Sequence, residues 1–350
     1  MNPNTGAVYA IVSIPDYNLN TPRDIPYDMD SLFWESLSDE DRMNHLMSNV
    51  WRNRTISDTY EPGSTFKAIT TAIAFEEGLA YEDEIFSDEP IEVSEEHTIA
   101  CWRYNRGEGH HGDQTLREAF SNSCNPAFVQ MAWRIGIDKY YQYILNFGFF
   151  EPTGVDLPAE GSGIFHALPN RVDLATLSFG ESSTVTPLQL TNVFCALVNG
   201  GSLMRPQLVH YLSDNDGNVI REYSPEVVRT VFSEQTSERV MALMKDVVME
   251  GTGTAGYVEG YFVAGKTSTS MVDAGMYQGM SVLSFASYAP SYNPEIVVLV
   301  VINKPQTDDL GSSAAARVAA DIIGPTLEYL DVPRVLTEAD YQRMTTRYAL

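Results

Sequence analysis

The sequence is short of cysteine, histidine and positive charge, and each shortage closes off a class of function. It has three cysteines and six histidines in 350 residues. Cys101, Cys124 and Cys195 have the spacing of neither a disulfide framework nor a zinc site, and their odd number leaves at least one unpaired within the chain. His110-His111 in Gly-Glu-Gly-His-His-Gly hints at a metal, but adjacent histidines usually point apart and no third ligand is evident, so the stretch reads as a loop. No histidine is placed for a Ser-His-Asp triad or for activating Cys124 as a nucleophile. Lysine and arginine total 22 against 47 aspartates and glutamates, a formal net charge of −25. Such a surface argues against nucleic-acid binding and against adsorption to an anionic membrane. No apolar run approaches membrane-spanning length, no signal peptide is evident, and there is no internal repeat or low-complexity tract. What remains is a 44% hydrophobic chain, long enough for one large domain or two small ones.

Against that background, one segment carries chemistry. In Tyr60-Glu61-Pro62-Gly63-Ser64-Thr65-Phe66-Lys67, Pro62 and Gly63 break the preceding structure, and the alanine-rich run after Lys67 predicts a helix buried on most sides. Ser64 then falls in the first turn with Lys67 three residues on, so both side chains share a face. A serine hydroxyl needs a neighbouring base, and a lysine serves if burial or a nearby cation lowers its pKa. Free backbone N–H groups at the helix start suit an oxyanion.

Two further polar triplets follow. Ser123-Cys124-Asn125 lies between two apolar-periodic stretches, Gln114 to Phe120 and Ala127 to Ile135, and Pro126 prevents direct continuation. The spacing predicts a loop that points Ser123 and Asn125 into a cleft, although Ser and Asn are also ordinary helix caps. Lys266-Thr267-Ser268-Thr269 follows the glycine-rich stretch 251–256 and an apolar lead, and reads as a strand with a hydroxyl-rich end. A substrate backbone suits such a strand by β-addition, with Lys266 and Thr267 at its carboxylate. A solvated edge strand with a protective lysine is the plainer alternative.

Taken in this order, the three triplets match a known signature, S-x-x-K, S-x-N and K-T-G. The chain resembles the transpeptidase domain of a class B penicillin-binding protein of the division or sporulation type. The resemblance covers about residues 2 to 330. It includes Asn2-Pro3-Asn4-Thr5-Gly6-Ala7-Val8-Tyr9-Ala10 as a first strand, Thr186-Pro187-Leu188-Gln189 opening a helix beneath the site, and Phe285 to Pro290 and Ile296 to Ile302 as the last two strands. It implies that Ser64 is the acylated nucleophile and Lys67 the general base. Ser123 and Asn125 form a second wall, with Ser123 in a proton relay, and Lys266 and Thr267 bind the substrate carboxylate. The backbone N–H groups of Ser64 and Thr269 form the oxyanion hole. Ser268 departs from the family, which usually has glycine there, and its side chain threatens to crowd the oxyanion hole or the acyl group.

The expected reaction is two acyl transfers that cross-link the D-Ala-D-Ala ends of peptidoglycan stem peptides, with no cofactor and no metal. β-Lactams act as covalent inhibitors. The resemblance also implies an N-terminal anchor and pedestal domain missing from this chain, a membrane glycosyltransferase partner, and a place on the extracytoplasmic face of the bacterial membrane. The rivals are a D,D-carboxypeptidase, a β-lactamase or β-lactam sensor, and a catalytically weakened scaffold. A class A β-lactamase is disfavoured by the lack of an E-x-x-L-N segment after the second triplet, and a class D enzyme or sensor by Asn125.

The expected fold class is α+β, an antiparallel sheet of about five strands flanked by helices, plus a mainly helical lobe at about 70–185. The domain runs over 1–335, with a tail at 336–350. Strands are predicted at 5–14, 261–269, 281–289 and 296–303, the last one central in the sheet. Helices are predicted near 30–50, 187–199, 233–250 and 314–330.

Overall fold

The computed structural model describes residues 1–27, 29–271, 279–307 and 310–336. The expected tail therefore lies almost wholly outside the described residues. At the centre of the molecule is the helix Phe66–Glu76, in which every residue from Phe66 to Phe75 is buried. Its alanines admit close neighbours, the helices Asn125–Ile135 and Glu234–Met249. Its buried hydroxyls all find partners: Thr70 Oγ1 donates to the Ser178 carbonyl at 2.7 Å and lies 2.6 Å from the Tyr140 hydroxyl, and Thr71 Oγ1 donates to the Lys67 carbonyl at 2.8 Å.

The sheet is antiparallel, with Ser281–Ala289 in the middle, Ala264–Met271 on one side and Ile296–Asn303 on the other. It has three strands among the described residues, not five. The predicted strand at 5–14 does not form. Gly6 turns the chain with φ +75°, and Ala7 makes only a bridge to Gln207. Contact with the sheet passes instead to Met1, whose backbone exchanges hydrogen bonds with Val297 at 2.9 and 2.8 Å. The apolar run 296–302 is an edge strand and not the central one. The middle position goes to Ser281–Ala289, whose Ser284, Ala286 and Ser287 are small enough for close packing on both faces.

One face of the sheet meets the helical body around Phe120, Phe128, Phe194 and Leu243. The other face packs Phe285 and Ile296 against the helix Ser313–Tyr329 through Ala316, Ala319 and Ile323. The helices Pro187–Val198 and Glu234–Met249 fall where the periodicity puts them. The first begins in a capping box, with Thr186 Oγ1 accepting from the Gln189 N–H and Gln189 Oε1 accepting from the Thr186 N–H. The segment 30–50 is helical in three short pieces. Between 202 and 230, four short strands form that the sequence pattern does not announce; Ser202–Met204 is largely buried and the other three are mostly exposed.

Candidate active site

Ser64 lies in a single 3-10 turn, Gly63–Thr65, that runs straight into the central helix. The turn needs glycine. Gly63 has φ +53°, and a Cβ on it would fall 2.3 Å from Ser268 Oγ. Its N–H donates to the Gly180 carbonyl at 2.9 Å. Gly180 in turn admits no side chain, since a Cβ there would come 2.2 Å from the Gly63 carbonyl oxygen. Two glycine backbones in contact thus set Ser64 at the mouth of its helix, partly exposed above the buried Lys67.

The predicted residues converge. Ser123 Oγ is their junction: it donates to Ser64 Oγ at 2.9 Å and accepts from Lys67 Nζ and from Lys266 Nζ, each at 3.0 Å. Lys67 Nζ also donates to Asn125 Oδ1 at 2.6 Å and to the Ser123 carbonyl at 2.7 Å. That uses all three N–H groups of an ammonium, so Lys67 reaches Ser64 through Ser123 and not by a direct hydrogen bond. Ser123 holds a left-handed backbone, φ 56°, rare for a residue with a side chain. The loop is shorter than expected: Asn125 is the first residue of the helix Asn125–Ile135, with Pro126 tolerated in its first turn.

Both lysines are fully buried. Burial pushes the Lys67 ammonium down to about 8, although nearby Cys124, Cys101 and Glu181 draw it upward. Burial also drives Lys266 well below the ordinary lysine value, and the positive charge of Lys67 adds to it. The faces of Phe128, 5.2 Å from Lys67 Nζ, and Phe120, 6.0 Å from Lys266 Nζ, are the apolar floor of the site.

Along the strand wall, Thr267 is buried and its Oγ1 lies 2.8 Å from Thr252 Oγ1, while Thr269 is exposed. Ser268 is 2% exposed and its Oγ has no hydrogen-bond partner. It packs over Gly63, one residue before Ser64. Ser270 Oγ donates to the Glu61 carbonyl at 2.9 Å and ties the strand to the segment leading into the Gly63–Thr65 turn. Sequence reasoning missed Gly180, Thr252 and Glu181, since each stands outside the three triplets and gains its place only through the fold. It also missed a grouping behind the second triplet. Cys101, His111 and Cys124, read separately as unremarkable, lie with their ligand atoms within 4.8 Å of one another.

The arrangement is a serine hydroxyl wired through a second hydroxyl to two amines whose protons are loosely held. That is the equipment for transferring an acyl group. The comparisons with known proteins agree with the geometry. The chain is 36% identical over 340 residues to stage V sporulation protein D of Bacillus subtilis (strain 168), covering 95% of this chain and 49% of that protein. It spans about half the length of the curated relatives it matches. Among solved structures, the D,D-transpeptidase domain of a peptidoglycan glycosyltransferase from Eggerthella lenta superposes with a TM-score of 0.78 at 27% identity, covering 95% of this chain and 78% of that one. Penicillin-binding protein A from M. tuberculosis, solved as an imipenem acyl-enzyme complex, superposes with a TM-score of 0.75 at 28% identity, covering 92% and 72%. The family model for the penicillin binding protein transpeptidase domain matches residues 1–324, and the chain belongs to that family.

Proposed function

We propose that the chain is the catalytic domain of a peptidoglycan D,D-transpeptidase that works through an acyl-enzyme on Ser64. The observation that carries this is the shared Ser123 hydroxyl, within 3.0 Å of the nucleophile and of both lysines. A neutral amine on that hydroxyl takes a proton from it as Ser123 Oγ takes one from Ser64 Oγ. The Ser64 oxygen then bonds to the penultimate D-Ala carbonyl carbon. The N–H groups of Ser64 and Thr269 receive the developing oxyanion. Collapse breaks the C–N bond, and the terminal D-Ala leaves with a proton returned through Ser123. The amine of a second stem attacks the ester by the reverse route and forms the cross-link. Lys266 and Thr267 hold the terminal carboxylate. That anion raises the depressed Lys266 pKa again, so substrate binding draws a proton onto Lys266. Asn125 holds the substrate amide and aligns Lys67.

β-Lactams present the same carbonyl and carboxylate and would stop at the acyl-enzyme, as the imipenem-bound relative does. The natural setting is the outer face of the bacterial membrane, with peptidoglycan stems as substrate and a membrane glycosyltransferase as partner.

Intact-mass analysis after incubation with benzylpenicillin, in wild type and Ser64→Ala, tests the reading. We expect a stable adduct of the drug's mass in the wild type and none in the variant. Rapid drug hydrolysis without an adduct would instead make the chain a β-lactamase. An adduct that persists in Ser64→Ala would remove Ser64 from the mechanism.

A further inference from the structure

We propose that Glu181 sets the donor specificity of the site: its carboxylate holds an ammonium group on the stem residue just upstream of the penultimate D-Ala. The inference rests on the acyl-transfer reading above. Glu181 lies in the segment 178–182, which is pinned at three points to the Gly63–Thr65 turn and its flanks. The Ser178 carbonyl accepts from Thr70 Oγ1 at 2.7 Å, the Gly180 carbonyl accepts from the Gly63 N–H at 2.9 Å, and the Ser182 N–H donates to Glu61 Oε1 at 2.8 Å. Ser64 and Glu181 therefore each stand one residue from the Gly63–Gly180 contact. Ser182 holds a left-handed backbone, φ 61°, which persists only where the surroundings impose it. Glu181 itself is partly exposed. Its charge is felt at Lys67, where burial dominates and Cys124, Cys101 and then Glu181 oppose it.

The register of the strand wall says what passes Glu181. With the substrate carboxylate at Lys266 and Thr267 and the oxyanion at the Thr269 N–H, a donor added along Ala264–Met271 continues upstream past Ser270. Glu61 ties that level of the strand to Glu181. Its carbonyl accepts from Ser270 Oγ at 2.9 Å, and its carboxylate accepts from the N–H of Ser182, the next residue after Glu181. The stem residue before the penultimate D-Ala thus runs beside Glu181.

The charge of that residue follows from the reaction. Donor and acceptor are copies of one stem, and the acceptor attacks through an amine. The donor carries the same amine, uncommitted and protonated. Two buried lysines at the carboxylate end of the site disfavour a further cation, and a carboxylate at the other end is the complement it needs. The site then runs from lysine to glutamate as the donor runs from carboxylate to ammonium. The acceptor fits Glu181 poorly, because its amine must be neutral to attack and a carboxylate stabilises the protonated form.

Benzylpenicillin and ampicillin differ by one amino group on the acyl side chain, which lies on the upstream side of the carbonyl that Ser64 attacks. An α-amino group titrates near about 7.7–8.0, so at pH 7 the ampicillin amine is mostly charged. The test is the ratio of the two acylation rates, ampicillin over benzylpenicillin, in wild type and Glu181→Gln, with adduct formation followed by intact mass. We expect the ratio to fall about threefold to fivefold in Glu181→Gln, the range of a partly exposed charge pair, and Glu181→Asp to keep part of the advantage. Loss of packing alone slows both drugs by one factor and leaves the ratio unchanged. A thermal melt confirms the fold, and Glu181→Ala decides should Glu181→Gln fail to fold. A ratio that is the same in wild type and in the variant that folds, or higher in the variant, overturns the proposal. Absence of any adduct with either drug in the wild type is a different result, since it removes the acyl-serine reading on which the proposal rests.

Discussion

The hydroxyl of Ser268 stands where the family pattern has glycine, and it is buried against Gly63 with no hydrogen-bond partner. Leaving such a group unsatisfied costs about 1–3 kcal/mol, and the strain falls on the turn that carries Ser64. Ser268→Gly removes the orphan and the wedge together. Glycine within a strand costs roughly 0.5–1 kcal/mol in entropy, so overall stability stays within about 1 kcal/mol of wild type. Acylation by benzylpenicillin, followed under pseudo-first-order conditions, should speed up about threefold, equivalent to roughly 0.6 kcal/mol of barrier. An equal or slower rate would show that the hydroxyl helps the turn. Lys67 sets a second expectation at this scale. Burial, its main perturbation, lowers it to about 8, and in the proposed mechanism the base is its neutral amine. Below that value the neutral fraction grows about tenfold per pH unit, and above it the fraction levels off. Acylation should therefore climb between about pH 6 and 8 and plateau near 9. Lys67→Arg, which cannot deprotonate, should lose the pH-dependent rise along with nearly all activity. A flat profile in the wild type would move the base elsewhere.

Among the elements, the Glu234–Met249 helix is joined to the central helix Phe66–Glu76 by one carboxylate. Glu76, at the end of the central helix, accepts from the Ser233 N–H at 3.0 Å, from Ser233 Oγ at 2.8 Å and from Thr236 Oγ1 at 2.6 Å. It thus caps the start of the neighbour, where the helix dipole favours a negative charge. Glu76→Ala should lower stability by about 1–3 kcal/mol, read from the denaturant midpoint. Burial acts to raise its pKa, but the hydrogen bonds from Thr236 and Ser233 prevail and hold it below the ordinary glutamate value. A lowered acid stabilises above its unfolded pKa and loses that contribution as the pH falls through its folded pKa. The gap between wild type and Glu76→Ala should accordingly narrow in acid. This joint was invisible in the sequence, while the helix it caps was plain, because Val240, Leu243, Met244, Val247 and Val248 repeat with helical period and all are buried. The same division runs through the whole chain. Local periodicity and capping chemistry placed the helices. The three polar triplets, read by resemblance, placed Ser64, Lys67, Ser123 and Lys266. What escaped depends on partners far along the chain: the edge position of Ile296–Asn303, the loss of the 5–14 strand to a glycine turn, the Gly63–Gly180 contact, and a cysteine–histidine cluster whose members stand 10 and 13 residues apart.

For the molecule as a whole, the dominant electrostatic fact is a net charge of −25. Its surface ion pairs, such as Arg52–Asp58 at 2.6 Å, Lys139–Glu77 at 2.7 Å and Arg229–Glu151 at 2.8 Å, are largely exposed. Each is worth no more than about 1 kcal/mol. Self-repulsion among the excess carboxylates acts in the opposite direction, against the compact state. Added salt screens both, but unequally. Close pairs sit well inside a Debye length even at about 0.1 M, whereas repulsion summed over a large surface works at separations near or beyond it. Screening should therefore remove more repulsion than attraction. The melting midpoint should rise by a few degrees between roughly 10 mM and 0.5 M sodium chloride, most of it below about 0.15 M, where the Debye length shrinks fastest. A screening effect saturates in that way, while a rise that continues in proportion to salt would indicate preferential exclusion of the salt from the surface. A midpoint that falls from the first addition would mean that the paired charges outweigh the unpaired ones.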